Sequence, residues 1–316
     1  MSAAPQKRSL STAPGDERDP KRHHRRSPTI SLAEKTAAAP FNSPNAEFVI
    51  RTKPNDTHFL VSLAVLSIAS PYFDKIRSEQ TPPERGQLEA PESDAIIETI
   101  LRFTYPNVPD PILHDLDDVR EAFEAARKYQ LRGVENKLRE MMVSARFLDS
   151  EPVRVYAIAR RYNLDDVACV AALSALKQPP RWPDYEEFEH ISARAYHRLI
   201  QFHRTRSNQA VNILENLFSD GRCDPAKVAC EACGKWPPTW WSYFVKKAKC
   251  IIKDTPVSDS ICTADFILAT CAKIERGKQC WSCLIRAHEA VQPGGIVQLL
   301  KKQIDALPVD ILDDDA

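Results

Sequence analysis

Glycine is scarce: the chain has only 8 in 316 residues, well under the ~7% of ordinary domains. Only Gly294 and Gly295 are adjacent, and neither a G-x-G-x-x-G fingerprint nor a G-x-x-x-x-G-K-[ST] loop can be written from these positions. The common backbone cradles for nucleotide phosphates are therefore excluded. A G-x-S-x-G elbow and an H-E-x-x-H pair are missing too. His190, His197 and His203 stand at no ligand or triad spacing from a cysteine or carboxylate. No catalytic residue is assigned, and the chain reads as a non-enzyme. No apolar run approaches the ~18–20 residues that span a bilayer, and the first thirty residues lack the apolar segment of a secretory signal. These absences predict an intracellular protein, nuclear or cytoplasmic, with no membrane partner. In such a compartment cysteines serve as metal ligands or buried thiols rather than disulfides.

Net charge is absent as well, since 43 Lys+Arg balance 43 Asp+Glu. The balance hides an uneven distribution. Residues 1–40 hold eight basic and four acidic residues among Ser, Pro and Ala, with no apolar periodicity, which predicts a disordered basic tail over 1–43. Within it, the Lys7-Arg8 pair precedes a second cluster containing Lys21, Arg22, Arg25 and Arg26. Two basic clusters at that separation resemble a bipartite nuclear import signal. The alternative is a solvated charged tail. At the other end, residues 306–316 form a short acidic tail.

Hydrophobic residues make up 43% of the whole chain, enough for about two cores between the tails. Glu47–Thr52, a Lys53-Pro54-Asn55-Asp56 turn and Thr57–Val61 read as a β-hairpin. Ser70 can cap a helix beginning at Pro71, where a missing N–H has no consequence, with Tyr72, Phe73 and Ile76 as its apolar stripe. A third strand fits Gln87–Ala90, and Ser93 can cap a helix carrying Ile96, Ile97, Ile100, Leu101 and Phe103. Leu116, Val119, Phe123 and Ala126 then share one helical face; Val134, Leu138 and Met141 share another.

The stretch Leu66-Ser67-Ile68-Ala69-Ser70-Pro71-Tyr72-Phe73 is similar to the "L-S-x-x-S-P-x-F" helix start of the BTB/POZ domain. Ile100–Tyr105 is similar to its "L-x-F-x-Y" helix end, and Ala126–Leu131 to its "A-x-K-Y-x-L" segment. Three motifs in family order over about 100 residues resemble a BTB/POZ domain spanning 44–145. The resemblance implies an α+β fold, a small sheet with helices, and an adaptor that binds proteins, including a second copy of itself. Two departures stand out. Ser62–Leu66 lacks the family's "H-K-x-x-L" polar pair. Arg77-Ser78-Glu79-Gln80 lacks the hydrophobic-x-Glu signature of members that recruit cullin scaffolds, which counts against that partner.

The segment Ala126–Val134 returns 33 residues later as Ala159–Val167. An ankyrin array would show more copies and a Thr-Pro-Leu-His signature. The repeat instead predicts two helix–turn–helix corners, with Tyr and Leu filling the gap between helices. The second corner lies in an all-α stretch, 146–218, that resembles the BACK-like extension following many BTB domains. Cys169 there reads as a small buried hydrophobe, and Tyr185–Phe218 reads as helical.

Eight of the nine cysteines fall between Cys223 and Cys283, together with four tryptophans. Cys230-Glu231-Ala232-Cys233-Gly234 and Cys280-Trp281-Ser282-Cys283 are C-x-x-C pairs, the first closed by a glycine suited to positive φ. Cys230, Cys233, Cys280 and Cys283 supply the four thiolates of a tetrahedral, structural Zn²⁺ site, which leaves no position open for water. The pairs are 46 residues apart, beyond zinc-ribbon spacing, so a helical insertion must bring them together; Trp240–Ile252 suits that role. Cys223 and His288 are reserve ligands. A thioredoxin-like pair lacks its βαβ context, while an iron–sulfur cluster and simple buried thiols remain open. This Cys/Trp-rich helical module spans 219–305. Without a two-Cys, two-His finger or a basic stripe, it does not favour nucleic acid as partner. The sequence thus predicts a protein–protein adaptor. The alternative is a transcription- or chromatin-associated factor with a structural zinc module.

Overall fold

The computed structural model describes residues 35–79, 86–219, 223–232, 234–274 and 280–311. The basic clusters at Lys7, Arg8, Lys21, Arg22, Arg25 and Arg26 lie outside the described residues, as does Cys233.

The predicted hairpin forms from β2 (Phe48–Thr52) and β3 (Thr57–Val61), paired antiparallel with Phe48 opposite Val61 and Ile50 opposite Phe59. Its partners come from both directions. β1 (Lys35–Thr36) runs parallel to β3, and β4 (Gly86–Ala90) parallel to β2, giving the order β1-β3-β2-β4. Residues 35–43, expected to be tail, are therefore part of the fold: Phe41 is buried against Phe59 and Tyr105. A two-residue exposed strand leaves no periodicity to read, which is why the expected boundary fell late.

A parallel return from β2 to β4 needs a crossover, supplied by α1 (Leu63–Ala69) and α2 (Pro71–Glu79). Ser70 separates them. Its Oγ accepts from the Phe73 N–H at 3.2 Å, as the capping argument required, and donates to the Tyr129 carbonyl at 2.5 Å. One hydroxyl thus starts α2 and ties it to a later helix. Phe73 stacks on Tyr129 at 5.7 Å and meets Phe48 edge-on at 6.4 Å.

α3 (Asp94–Thr104) is capped by Ser93, α4 (Leu116–Lys128) by Asp115, and α5 (Arg132–Met142) follows directly. On α5 the residue completing the buried stripe is Met142 rather than the expected Met141, which is only partly covered.

Both copies of the 33-residue echo close a helix in the same way. Gln130 and Asn163 adopt positive φ (53° and 57°). The next amide, Leu131 or Leu164, returns to the carbonyl of Ala126 or Ala159 at 2.8 and 2.9 Å. This six-residue closure is the Schellman arrangement. The tyrosine hydroxyls donate to Glu92 and Glu124 respectively.

α6 (Ala145–Ser150), α7 (Pro152–Arg161) and α8 (Asp165–Ala175) extend the same hydrophobic core. Arg154 of α7 bonds Asp117 of α4 at 2.6 Å and the buried Glu187 at 2.7 Å, clamping the extension onto the first domain. Cys169 is half-buried rather than buried. The stretch expected to be helical from Tyr185 is a 3₁₀ turn, Glu186–His190, followed by α9 (Ala193–Asn216).

α9 joins two cores. Leu199 and Phe202 belong to the first, whereas Ala210, Ile213 and Leu214 belong to a second built by α10 (Thr239–Asp254), α11 (Ala264–Cys271), α12 (Trp281–Glu289) and α13 (Ile296–Asp305). Between them Arg206, 7% exposed, donates to the carbonyls of Ile304, Leu307 and Pro308 at 2.6–3.1 Å. Ile311, just beyond, is buried in the first core.

Two measurements check this architecture. Truncating Phe73 to Ala should cost about 3–5 kcal/mol and lower Tm by many degrees; an unchanged Tm would contradict the stacking on Tyr129. Asp94 supplies the second. Burial raises its carboxyl pKa, but hydrogen bonds from Thr52 (2.5 Å), Thr57 (2.7 Å), Asn55 (3.1 Å) and Lys35 (3.2 Å) outweigh it and hold the pKa below the ordinary 3.8. A lowered folded pKa gives stability that is present above the ordinary value and lost as pH falls through the folded one. Asp94→Asn should therefore lower Tm at pH 7, and the gap from the parent should close in acid below that value.

Candidate metal centre

The second core is assembled around aromatic side chains. Trp240 and Trp241 of α10 are buried and meet edge-to-face at 5.5 Å, with Phe244 at 5.1 Å from Trp241 and Phe218 at 5.2 Å. Apolar residues at i, i+1, i+4, i+8 and i+12 (Trp240, Trp241, Phe244, Ala248, Ile252) give α10 its buried face. α10 and α11 fill the long interval between the C-x-x-C pairs, and α12 packs against both.

This packing delivers three sulfurs to one point. Cys280 is the extended residue immediately before α12, and Cys283 lies in the first turn. Three residues apart at a helix start, they share a side, leaving Trp281 between them 77% exposed. Cys230 comes from the loop after the 3₁₀ turn Pro225–Lys227. The Gly234 N–H returns to its carbonyl at 3.1 Å, and Gly234 has φ 58°, the conformation expected of the glycine closing the first pair. The Sγ atoms of Cys230, Cys280 and Cys283 all lie within 4.8 Å of one another, with Cys230 and Cys280 at 3.7 Å. Cys230 and Cys283 are buried and Cys280 is half-buried.

The spacing suits one tetrahedral ion. Sulfurs each ~2.3 Å from a zinc sit about 3.8 Å apart along a tetrahedral edge. A [4Fe–4S] cube gives each cysteine its own iron and spreads the sulfurs further. Of the four predicted ligands the structure brings together three; Cys233, the fourth, lies outside the described residues.

The other cysteines occupy different environments. Burial pushes the Cys262 thiol up to about 12, with Lys301 opposing and Asp305 and Asp259 reinforcing the rise. Burial alone raises Cys271. Both are packed thiols of the second core. Cys223 is buried in that core, its thiol 3.6 Å from the Asp224 carbonyl, and Cys250 is exposed on α10. His288, the reserve nitrogen, is exposed on α12 and outside the converging set. His203 is buried at the junction of the cores, where burial holds its pKa below the usual value. Sequence reading passed over one surface: α10 exposes Lys246, Lys247 and Lys253 along its outer side, with Lys249 paired to Glu215, a short basic stripe after all.

Comparison with known families covers about a third of the chain. Residues 46–146 match the BTB/POZ domain. This part of the protein is a BTB/POZ domain, with the small mixed sheet and surrounding helices described above, and the helical extension continues its core. No curated protein matches the sequence. Among the described residues no helix is long and apolar enough to cross a membrane.

Metal content checks the centre directly. Purified protein should carry about one zinc per chain, and Cys230→Ser and Cys280→Ser should each lose it. Apparent zinc binding in thiolate sites is worth about 10–16 kcal/mol, so chelation should melt the second core at a lower temperature and shift the emission of exposed Trp281. Metal-free protein whose fluorescence ignores chelation would reduce the three residues to packed thiols.

Proposed function

We propose that the chain is a non-enzymatic adaptor that self-associates and recruits protein partners through its BTB/POZ domain. BTB/POZ domains are protein–protein interaction modules, and the second core would be a structural zinc module. The observation that carries the self-association reading lies on α1. Ile68 is 87% exposed, and Ala64 and Val65, one turn earlier on the same side, are only half-buried. Together these three apolar side chains on a short, firmly anchored helix offer a small face suited to contact with a second copy. The anchoring is visible: Glu47 accepts from Ser62 Oγ at 2.8 Å and from the Ala64 N–H at 3.3 Å, and Ser62 donates its N–H to the Tyr105 hydroxyl at 2.6 Å. These bonds supply the capping that the Ser62 side chain does not.

Structural zinc fits an adaptor, because four thiolates close the coordination sphere against substrate. Light scattering after size exclusion tests the reading. The parent should run above monomer mass, and Ile68→Glu should weaken association at least tenfold, about 1.4 kcal/mol, with Tm unchanged because the side chain is already in solvent. A monomeric parent at high micromolar concentration would refute self-association.

A further inference from the structure

We propose that Cys230 and Cys280 form a reversible thiol–disulfide pair, closed by a hydroperoxide with release of the bound ion. The inference rests on the metal-centre reading and adds a regulatory reaction to it.

The geometry favours this pair. Their sulfurs are 3.7 Å apart, and a disulfide needs ~2.05 Å, so closure requires under 2 Å of movement. Cys280 can provide it, because its backbone is extended (φ −125°, ψ 123°) and precedes the first turn of α12. Cys283, one turn on, is fixed in the helix and 1% exposed. Cys280 is also the most accessible of the three, half-buried where Cys230 is 4% exposed. An oxidant entering from solvent therefore reaches Cys280 first and finds Cys230 in place to resolve the product. Cys262 and Cys271, held as neutral thiols by burial, are not competing nucleophiles.

The chemistry balances with a hydroperoxide as the two-electron acceptor. The Cys280 sulfur attacks the distal oxygen, the O–O bond breaks, and the alkoxide or hydroxide leaves and takes a proton. Cys280 is then a sulfenic acid. The Cys230 thiolate attacks that sulfur, the S–S bond forms, and hydroxide leaves as water. In sum two thiolates, one hydroperoxide and two protons give one disulfide, one alcohol (water, for hydrogen peroxide) and one water. A Zn²⁺ held by these thiolates would lose two of its ligands to the new bond. The new bond keeps the 230 loop tethered to the start of α12 in the ion's place.

The test uses the full-length, zinc-loaded chain with hydrogen peroxide, a chromogenic chelator and peptide mapping without reduction. Zinc release, about one per chain, should accompany a Cys230–Cys280 linked peptide, and a dithiol reductant with added zinc should reverse both. Cys283→Ser should lose the metal yet still form the link, which keeps the test independent of metal loading. A Cys280–Cys283 link, or sulfinic acid on Cys280 with no link, would overturn the inference and leave the metal centre standing. A link formed in protein that purifies without metal would support the pair and overturn the metal reading.

Discussion

Arg206 sits on α9 between the two hydrophobic cores, and its two terminal guanidinium nitrogens donate to main-chain carbonyls. A buried guanidinium needs acceptors. It finds them at the negative C-terminal end of α13 in the Ile304 carbonyl and, just beyond that helix, in the carbonyls of Leu307 and Pro308. The strap beyond α13 then returns to the first core and buries Ile311. This stitch adds a polar tie to the apolar side chains that α9 already gives to both cores, Leu199 and Phe202 to the first and Ala210, Ile213 and Leu214 to the second.

The BTB/POZ domain was legible because its signals are local and chemical. Ser70-Pro71 and Ser93 specify helix starts through hydrogen bonds that the structure shows. The echo was legible for a related reason. Tyr-Gln-Leu and Tyr-Asn-Leu place a polar residue with left-handed backbone between a packed tyrosine and a buried leucine, and Asn is among those best suited to φ near +55°. What stayed hidden was non-local. β1 exists only because β3 offers it an edge, and two exposed residues carry no period. The Asp94 network, drawing on Lys35, Thr52, Asn55 and Thr57, joins side chains up to 59 positions apart; no spacing rule anticipates it.

The sulfur cluster was half legible. Two C-x-x-C pairs announce thiolates at turn spacing, but the interval between them exceeds any ribbon pattern. Whether they meet is decided by α10 and α11. The decisive residues are Trp240 and Trp241, whose burial fixes the helix that fills the gap. Nor could composition sort the remaining cysteines. Cys262 and Cys271 differ from Cys230 and Cys283 in their neighbours, not in degree of burial, since all four are buried. Convergence of sulfurs is what separates a ligand from a packed thiol.

That convergence also constrains what holds the module together. Three thiols within 4.8 Å form only weak sulfur hydrogen bonds, and as thiolates they would repel one another. Such a cluster is a poor interior on its own terms and a good one around a cation. The aromatic core alone could hold α10 against α9. The start of α12 differs, because Trp281 and Ile285 face solvent and leave mainly Cys283 and Ala287 to bury. A helix with so narrow an apolar face gains little from packing. An ion held by Cys230, Cys280 and Cys283 would therefore add to the contacts that Cys283, Leu284, Ala287 and Ala290 give α12, and would fix the helix start that presents the exposed Trp281.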